Sequence, residues 1–308
     1  MTKTPKYYSY SHSRSLLLQH RAALSNRQTQ KGVTLVELMV GITIGLLTVA
    51  VATGALMVSR GVSGTVSDAS QLQQQASYAF RVIGQQLRQS GSIRLNMAPK
   101  SAASTVDAAD PVAFEAAYIN PANPSDAFYP KTDSINGQDT PVQLITGYRN
   151  YVESLYTSAS DTSQFRNCLG ENGTDAIVRS TFGYDSAKYE LTCAGTAGAQ
   201  PLIQNVADFQ IRYLSQTGGN TGDPKIQYIN AATAAADWTQ VFGVEACIVI
   251  YGTEVIDVPA GSVYKGCDGA NINFSSSGSL PAQRKNRLHM TFKKVYQIRS
   301  QGLANIAS

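Results

Sequence analysis

The chain has 308 residues, of which 43% are hydrophobic and only 15% charged, enough for one large domain or two small ones with a sizeable core. Its net charge of +4 is local: residues 1–32 hold six basic side chains and no acid, which leaves 19 basic against 21 acidic residues beyond them. A remainder at −2 does not indicate a general nucleic-acid binder.

The first predicted element follows this basic segment. From Val33 to Val58 the chain is apolar or small, with Glu37 the one charge. As a helix, these residues would span about 39 Å, against a bilayer core of about 30 Å. The basic, acid-free segment before them marks the cytoplasmic side, so the rest of the chain would lie across the membrane. A secretory signal does not fit, because its apolar core is shorter and ends at a small-residue cleavage site. A plain signal anchor fits the length but not Glu37. A carboxylate there either snorkels to the headgroups from the first turn or has a function.

A cut after Gly32 would give it one. The basic leader would leave, Val33 would carry a new α-amine, and Glu37 would sit about one turn away at the positive end of the helix dipole. In lipid, an unpaired amine and an unpaired carboxylate are both costly. Helices packed side by side with an axial offset could satisfy both, making Glu37 a register device for polymerisation. The stretch "KGVTLVELMVGITIGLL" resembles the class III signal of type IV prepilins and type II secretion pseudopilins. The resemblance implies cleavage between Gly32 and Val33 by a prepilin peptidase, N-methylation of Val33, and an assembly role for Glu37. Val33 departs from the phenylalanine most frequent there, and the 32-residue leader is long.

Arg60-Gly61-Val62-Ser63-Gly64 interrupts the apolar run and predicts a bend or local melting. Beyond it, Val66, Ala69, Leu72, Ala76, Phe80, Ile83 and Leu87 recur at three- and four-residue spacing, one stripe of an amphipathic helix. Ser90-Gly91 reads as its stop. One helix is therefore expected from about Val33 to Ser90, with residues 33–58 membrane-grade and 59–90 packed on a head formed by 91–308.

Residues 91–174 carry weak signals. "NPANPSDAFYP" and "KTDSINGQDTP" read as loop. Tyr118, Phe128, Tyr129, Tyr148, Tyr151 and Tyr156 are expected to pack under those loops. Strand signals then improve. "DAIVRSTFGYDSAKYELTCAG" reads as a hairpin turning at Gly183-Tyr184-Asp185-Ser186. "NVADFQIRYLS" alternates, with Phe209, Ile211 and Tyr213 on one face and Asp208, Gln210 and Arg212 on the other, and "GGNTGDPK" after it reads as a turn. "VFGVEACIVIYGTEV" is a central-strand run. "RLHMTFKKVYQIR" alternates again, with Leu288, Met290, Phe292, Tyr296 and Ile298 on one face. The fold class is α+β: a long N-terminal helix packed on an antiparallel β-sheet head, type IV pilin-like by resemblance.

The order of the last strands resembles the C-terminal half of PilW-type minor pilins. That resemblance covers residues 31–90 and 174–302 and leaves 91–173 uncovered. It implies a single-pass inner-membrane protein with a periplasmic C-terminal domain that later enters a pilus, with functions in adhesion, twitching motility or DNA uptake. The implied partners are other minor pilins and the major pilin through the N-terminal helix, the prepilin peptidase and the pilus assembly platform, with a tip adhesin as a further one. The J-type pseudopilin of a type II secretion system shares this plan. A membrane-anchored periplasmic binding protein is the alternative of another class.

The four cysteines, Cys168, Cys193, Cys247 and Cys267, form no Cys-x-x-Cys pair, which speaks against zinc and thioredoxin-type chemistry. Two disulfides suit an oxidising compartment, and pairing in sequence order would close two local loops. Three connectivities are open, as are four buried thiols. Beyond the leader His289 is the one histidine, read as a surface strand residue. No Ser-His-Asp set, nucleotide loop or calcium loop can be assembled, so neither an enzyme nor a cofactor is indicated. Arg284, Lys285, Arg287, Lys293 and Lys294 read as a solvated strand face.

Overall fold

The structure is a computed structural model in which residues 32–96, 113–114, 117–152, 163–217, 225–274 and 280–298 are described. The expected leader up to Lys31, the turn at 218–224 and Tyr156 lie outside the described residues. The chain divides into two compact units, Met1–Leu56 and Met57–Ser308, taken here one at a time. Helix α1 (Leu35–Gln89) contributes residues to both.

In the first unit the helical residues are exposed on every side. Thr43, Thr48 and Thr53 donate their hydroxyls to the carbonyls of Val40 (2.8 Å), Gly45 (2.8 Å) and Val49 (2.7 Å). The polar groups are thus satisfied within the helix, and hydrocarbon is what the surface offers, as a lipid environment requires. Among the described residues, α1 is the one helix long and apolar enough to cross a membrane.

In the second unit two short antiparallel pairs come first, β1 (Leu95–Asn96) with β2 (Ala113–Phe114) and β3 (Tyr118–Asn120) with β4 (Asn123–Phe128). A one-turn helix, α2 (Pro130–Asp133), follows. A five-stranded antiparallel sheet then runs in chain order through β5 (Ile135–Asp139), β6 (Val142–Arg149), β7 (Ile177–Asp185), β8 (Glu190–Ala194) and β9 (Ala199–Ile203). After it come β10 (Val206–Thr217), β11 (Lys225–Ile229), the short helix α3 (Ala231–Ala234) and β12 (Val241–Val255). A two-stranded flap, β13 (Val263–Lys265) with β14 (Asn271–Asn273), separates β12 from β15 (Arg287–Gln297). The second sheet has the order β11-β10-β12-β15, antiparallel throughout. The structure has the expected antiparallel α+β head.

The main core cluster is fed by both sheets and the helix, and a second, smaller one (Ala207, Cys247, Val249, Tyr251, Tyr264, Cys267 and Leu280) lies beneath the flap. Leu72, Ala76, Ala79, Phe80, Ile83 and Leu87 of α1 join Leu144, Phe182 and Leu191 of one sheet and Phe209, Tyr213 and Ile248 of the other. The helix comes close to β15 at Gly84, where a β-carbon would run into the ring of Tyr296. The Tyr296 hydroxyl donates to the Phe80 carbonyl at 2.6 Å, fixing the ring there. Gly84→Ala therefore sets about 1 kcal/mol of helix propensity against an overpacking cost of about 1–3 kcal/mol. Net destabilisation in denaturant unfolding is the expected outcome, and net stabilisation would show that the ring can move aside.

Several expectations are corrected. Helix α1 runs unbroken through Arg60–Gly64, because elongating an established helix is far easier than nucleating one, so two glycines do not stop it. It begins at Leu35 rather than Val33, and its buried stripe opens at Asp68, whereas Val66 is 63% exposed. The hairpin turns three residues later than expected, after Asp185, whose carboxylate accepts the backbone N–H groups of Ala187 and Lys188. The "KTDSINGQDTP" stretch contains α2 and edge strand β5, which turns at the cis peptide Thr140–Pro141 into β6. Turn-rich composition hid β5 because an edge strand here needs to bury little beyond Ile135. Of the aromatics placed under loops, Phe128 and Tyr148 are buried in strands, and Tyr129 is 44% exposed.

Candidate processing and assembly site

Gly32, Val33 and Thr34 precede the helix in irregular, exposed backbone. Thr34 caps it: its Oγ1 accepts the Glu37 N–H at 3.2 Å and its carbonyl accepts the Leu38 N–H at 3.1 Å. Threonine with glutamate three positions on is the capping-box spacing, and it places Glu37 in the first turn at the positive end of the dipole. Val33, Leu35 and Val36 around it are 68%, 73% and 69% exposed. The Glu37 carboxylate has no hydrogen-bond or ion-pair partner among the described residues. The site thus combines an accessible Gly32–Val33 bond, an apolar helix with no protein around it, and one acid without a partner.

In the second unit, three polar groups of the helix and strands hold the head together, the buried Asp68 and Gln86 and the half-buried Asp139. Asp68, 4% exposed, accepts the Thr253 hydroxyl at 3.0 Å and the Glu254 N–H at 2.9 Å. The β12–β15 register breaks between Tyr251 and Val255, and Arg287 donates to the Gly252 (3.3 Å) and Thr253 carbonyls. A β-carbon at Gly252 would collide with the Asp68 carboxylate, so the break in the ladder is shaped to receive it. Gln86 accepts the Ser180 hydroxyl at 3.0 Å and donates to the Arg166 carbonyl at 3.3 Å. Asp139 of β5 caps α3 through the N–H groups of Ala231 (3.0 Å) and Ala232 (2.8 Å), tying the two sheets together.

The cysteines pair in sequence order. Cys168–Cys193, with Cα atoms 6.3 Å apart, joins the 163–170 segment to β8, and Cys247–Cys267, at 5.7 Å, joins β12 to the flap. The flap covers the outer face of the second sheet, and this corrects the reading of His289. Its side is not solvent: the residue is 6% exposed, its ring stacks on Tyr264 at 4.2 Å, and Phe274 and Tyr251 lie 5.6 and 5.8 Å away. Nδ1 faces the Arg287 carbonyl at 2.9 Å, and Nε2 is buried without a partner among the described residues. Burial pushes the imidazole down to about 4. Burial also raises Asp208 beneath the flap above the usual carboxylate value.

The basic stretch is divided: Lys293 and Lys294 are exposed as expected of a solvated strand face, whereas Arg284, Lys285 and Arg287 are half-buried. Arg284 donates to the Tyr264 hydroxyl at 3.2 Å and Lys293 to the Cys267 carbonyl at 2.8 Å. Sequence reasoning missed Asp68 and Gln86, although Asp68 sits four residues before Leu72, in step with the apolar stripe. A lone acid in a core stripe was the available signal.

Comparison with known proteins adds the following. A model described as the prokaryotic N-terminal methylation motif matches residues 27–53. No curated protein matches. Among solved structures, a type IV-like pilin from Thermus thermophilus aligns with 11% identity and a TM-score of 0.32, covering 73% of this chain and 96% of that one. The chain carries the prokaryotic N-terminal methylation motif at the head of an exposed apolar helix, with an antiparallel β head following in sequence.

Proposed function

We propose that this chain is a minor pilin of the PilW type, a structural subunit that helps prime type IV pilus assembly within a tip complex. Pilin-type proteins are structural subunits, not enzymes. The observation that carries the reading is the methylation motif, with Glu37 five residues into an exposed apolar helix counted from Val33. Residues 1–32 are the leader, 33–58 anchor the subunit in the inner membrane and later pack in the filament, 59–90 support the head, and 91–308 form it in the periplasm. The prepilin peptidase cuts at Gly32–Val33, and Val33 is methylated. The assembly platform then brings the helix against those of the other minor pilins and the major pilin. In that oxidising compartment the two disulfides persist.

The test is N-terminal sequencing with mass spectrometry on protein extracted from native membranes. A chain starting at N-methylated Val33 is expected, and Gly32→Asp should retain the leader. A wild-type chain that keeps Lys31 would overturn the reading. A strain lacking the protein should lose pili; loss of protein secretion with pili intact would point instead to the J-type pseudopilin.

A further inference from the structure

The edges of the two sheets are not treated alike. Three of them carry protection of the kind that blocks strand pairing. At β5, the turn of α2 leads into the strand and the Asp139 carboxylate is engaged with α3. Strand β9 has Pro201 in its middle and a register break against β8. The β15 edge carries Lys293 and Lys294 and a register break against β12. The fourth edge, β11, has no proline and no bulge, and its one charge, Lys225, lies at its end. Its first four residues are exposed, with Ile226 at 62% and Tyr228 at 54%. Both lie on the face of Leu214, away from the core, since Tyr228 pairs with Leu214 and Ile226 with Gln216.

We infer that β11 is an isologous interface through which two copies of this chain join edge to edge into one continuous sheet. The occupant follows from the strand's own sequence, Lys-Ile-Gln-Tyr-Ile. Antiparallel pairing about a two-fold axis at Gln227 sets Ile226 opposite the partner copy's Tyr228, and Tyr228 opposite its Ile226. These are two β-branched–aromatic pairs on one face, a favourable cross-strand combination. Gln227 lies directly opposite the same residue of the second copy. Each Lys225 falls opposite an isoleucine, and the two lysines lie about 13 Å apart along the strands, beyond a Debye length of about 8 Å at physiological salt. The same register thus places apolar groups together and like charges apart. The interface goes beyond the pilin reading and does not depend on it.

Directly opposite residues in an antiparallel pair have Cα atoms about 4.5–5.5 Å apart, inside the range of about 4.4–6.8 Å that a disulfide spans. Gln227→Cys in the full chain, oxidised in native membranes, should give a disulfide-linked homodimer. Its yield should exceed several-fold that of Val255→Cys, an exposed position away from the edge (70% exposed). Adding Ile226→Lys and Tyr228→Lys should reduce the yield to that control level. Mass mapping of the two native disulfides verifies that each variant is folded. Yield no higher than for Val255→Cys would overturn the interface. So would a cross-linked product whose second chain is a different protein by mass.

Discussion

Glu37→Val is expected to be synthesised, inserted and processed at Gly32–Val33, yet to be nearly absent from sheared filaments. The carboxylate stands in the first turn of an exposed apolar helix with no partner among the described residues. In a bilayer or a packed helical bundle, an acid in that position is tolerated only if a cation satisfies it. The proposed cation is the α-amine of a mature neighbour. Removing one partner of a desolvated charge pair costs about 2–5 kcal/mol, because the other charge is left behind. At about 1.4 kcal/mol per tenfold, that is a loss of at least about 30-fold in incorporation. The same substitution removes a helix-dipole contribution of only about 0.3–1 kcal/mol, too little to unfold the first turn. Glu37→Gln separates charge from hydrogen bonding: it should fail nearly as badly as Val if the pair is ionic. Quantitative immunoblotting of membrane and filament fractions reads both variants. Wild-type incorporation of Glu37→Val would sink the register argument while leaving processing untouched.

The helix and the order of the C-terminal strands were legible because each has a single dominant period. Hydrophobicity over Val33–Val58 is continuous, and the stripe through Leu72, Ala76, Phe80, Ile83 and Leu87 follows helical spacing, all five being buried. Phe209, Ile211 and Tyr213 alternate and are buried as expected. What escaped were features set by tertiary contact. Asp68 looks like a helix-surface acid until the broken ladder of β12 supplies a hydroxyl and an N–H for it. His289 looks like an outward strand residue because alternation assigns it to the face opposite Met290. Alternation cannot say that a disulfide-tethered flap covers that second face. Strand β5 was invisible for the complementary reason: an edge strand capped by a turn and packed by neighbours has little need of hydrophobic residues of its own.

The flap is also where the head should respond most strongly to acid. Burial holds His289 near 4, against 6.5 for an ordinary histidine. The unfolded chain therefore binds a proton that the folded chain refuses throughout that window, and stability falls as pH falls. The contribution is complete above about pH 6.5, declines from there to about 4, and levels off below, where both states are protonated. At about 1.36 kcal/mol per pH unit the full loss approaches about 3 kcal/mol. The groups facing the ring do not offset it. Tyr264 and Tyr251 are neutral in this range, and Arg284 disfavours a second positive charge nearby. Asp208 works in the opposite direction: its folded value is raised, so its protonation favours the folded state as pH drops through that value toward 3.8. His289→Phe keeps a flat ring against Tyr264 and removes the titration. Denaturant unfolding of the full chain in detergent, from pH 7.5 to 4, should show wild type losing stability relative to His289→Phe, with the difference growing below pH 6.5. Any intrinsic cost of the substitution is a constant offset at every pH, so the slope of the difference is the readout. Parallel curves would mean that the histidine is protonated or hydrated in the folded head, and that the flap opens at ordinary pH.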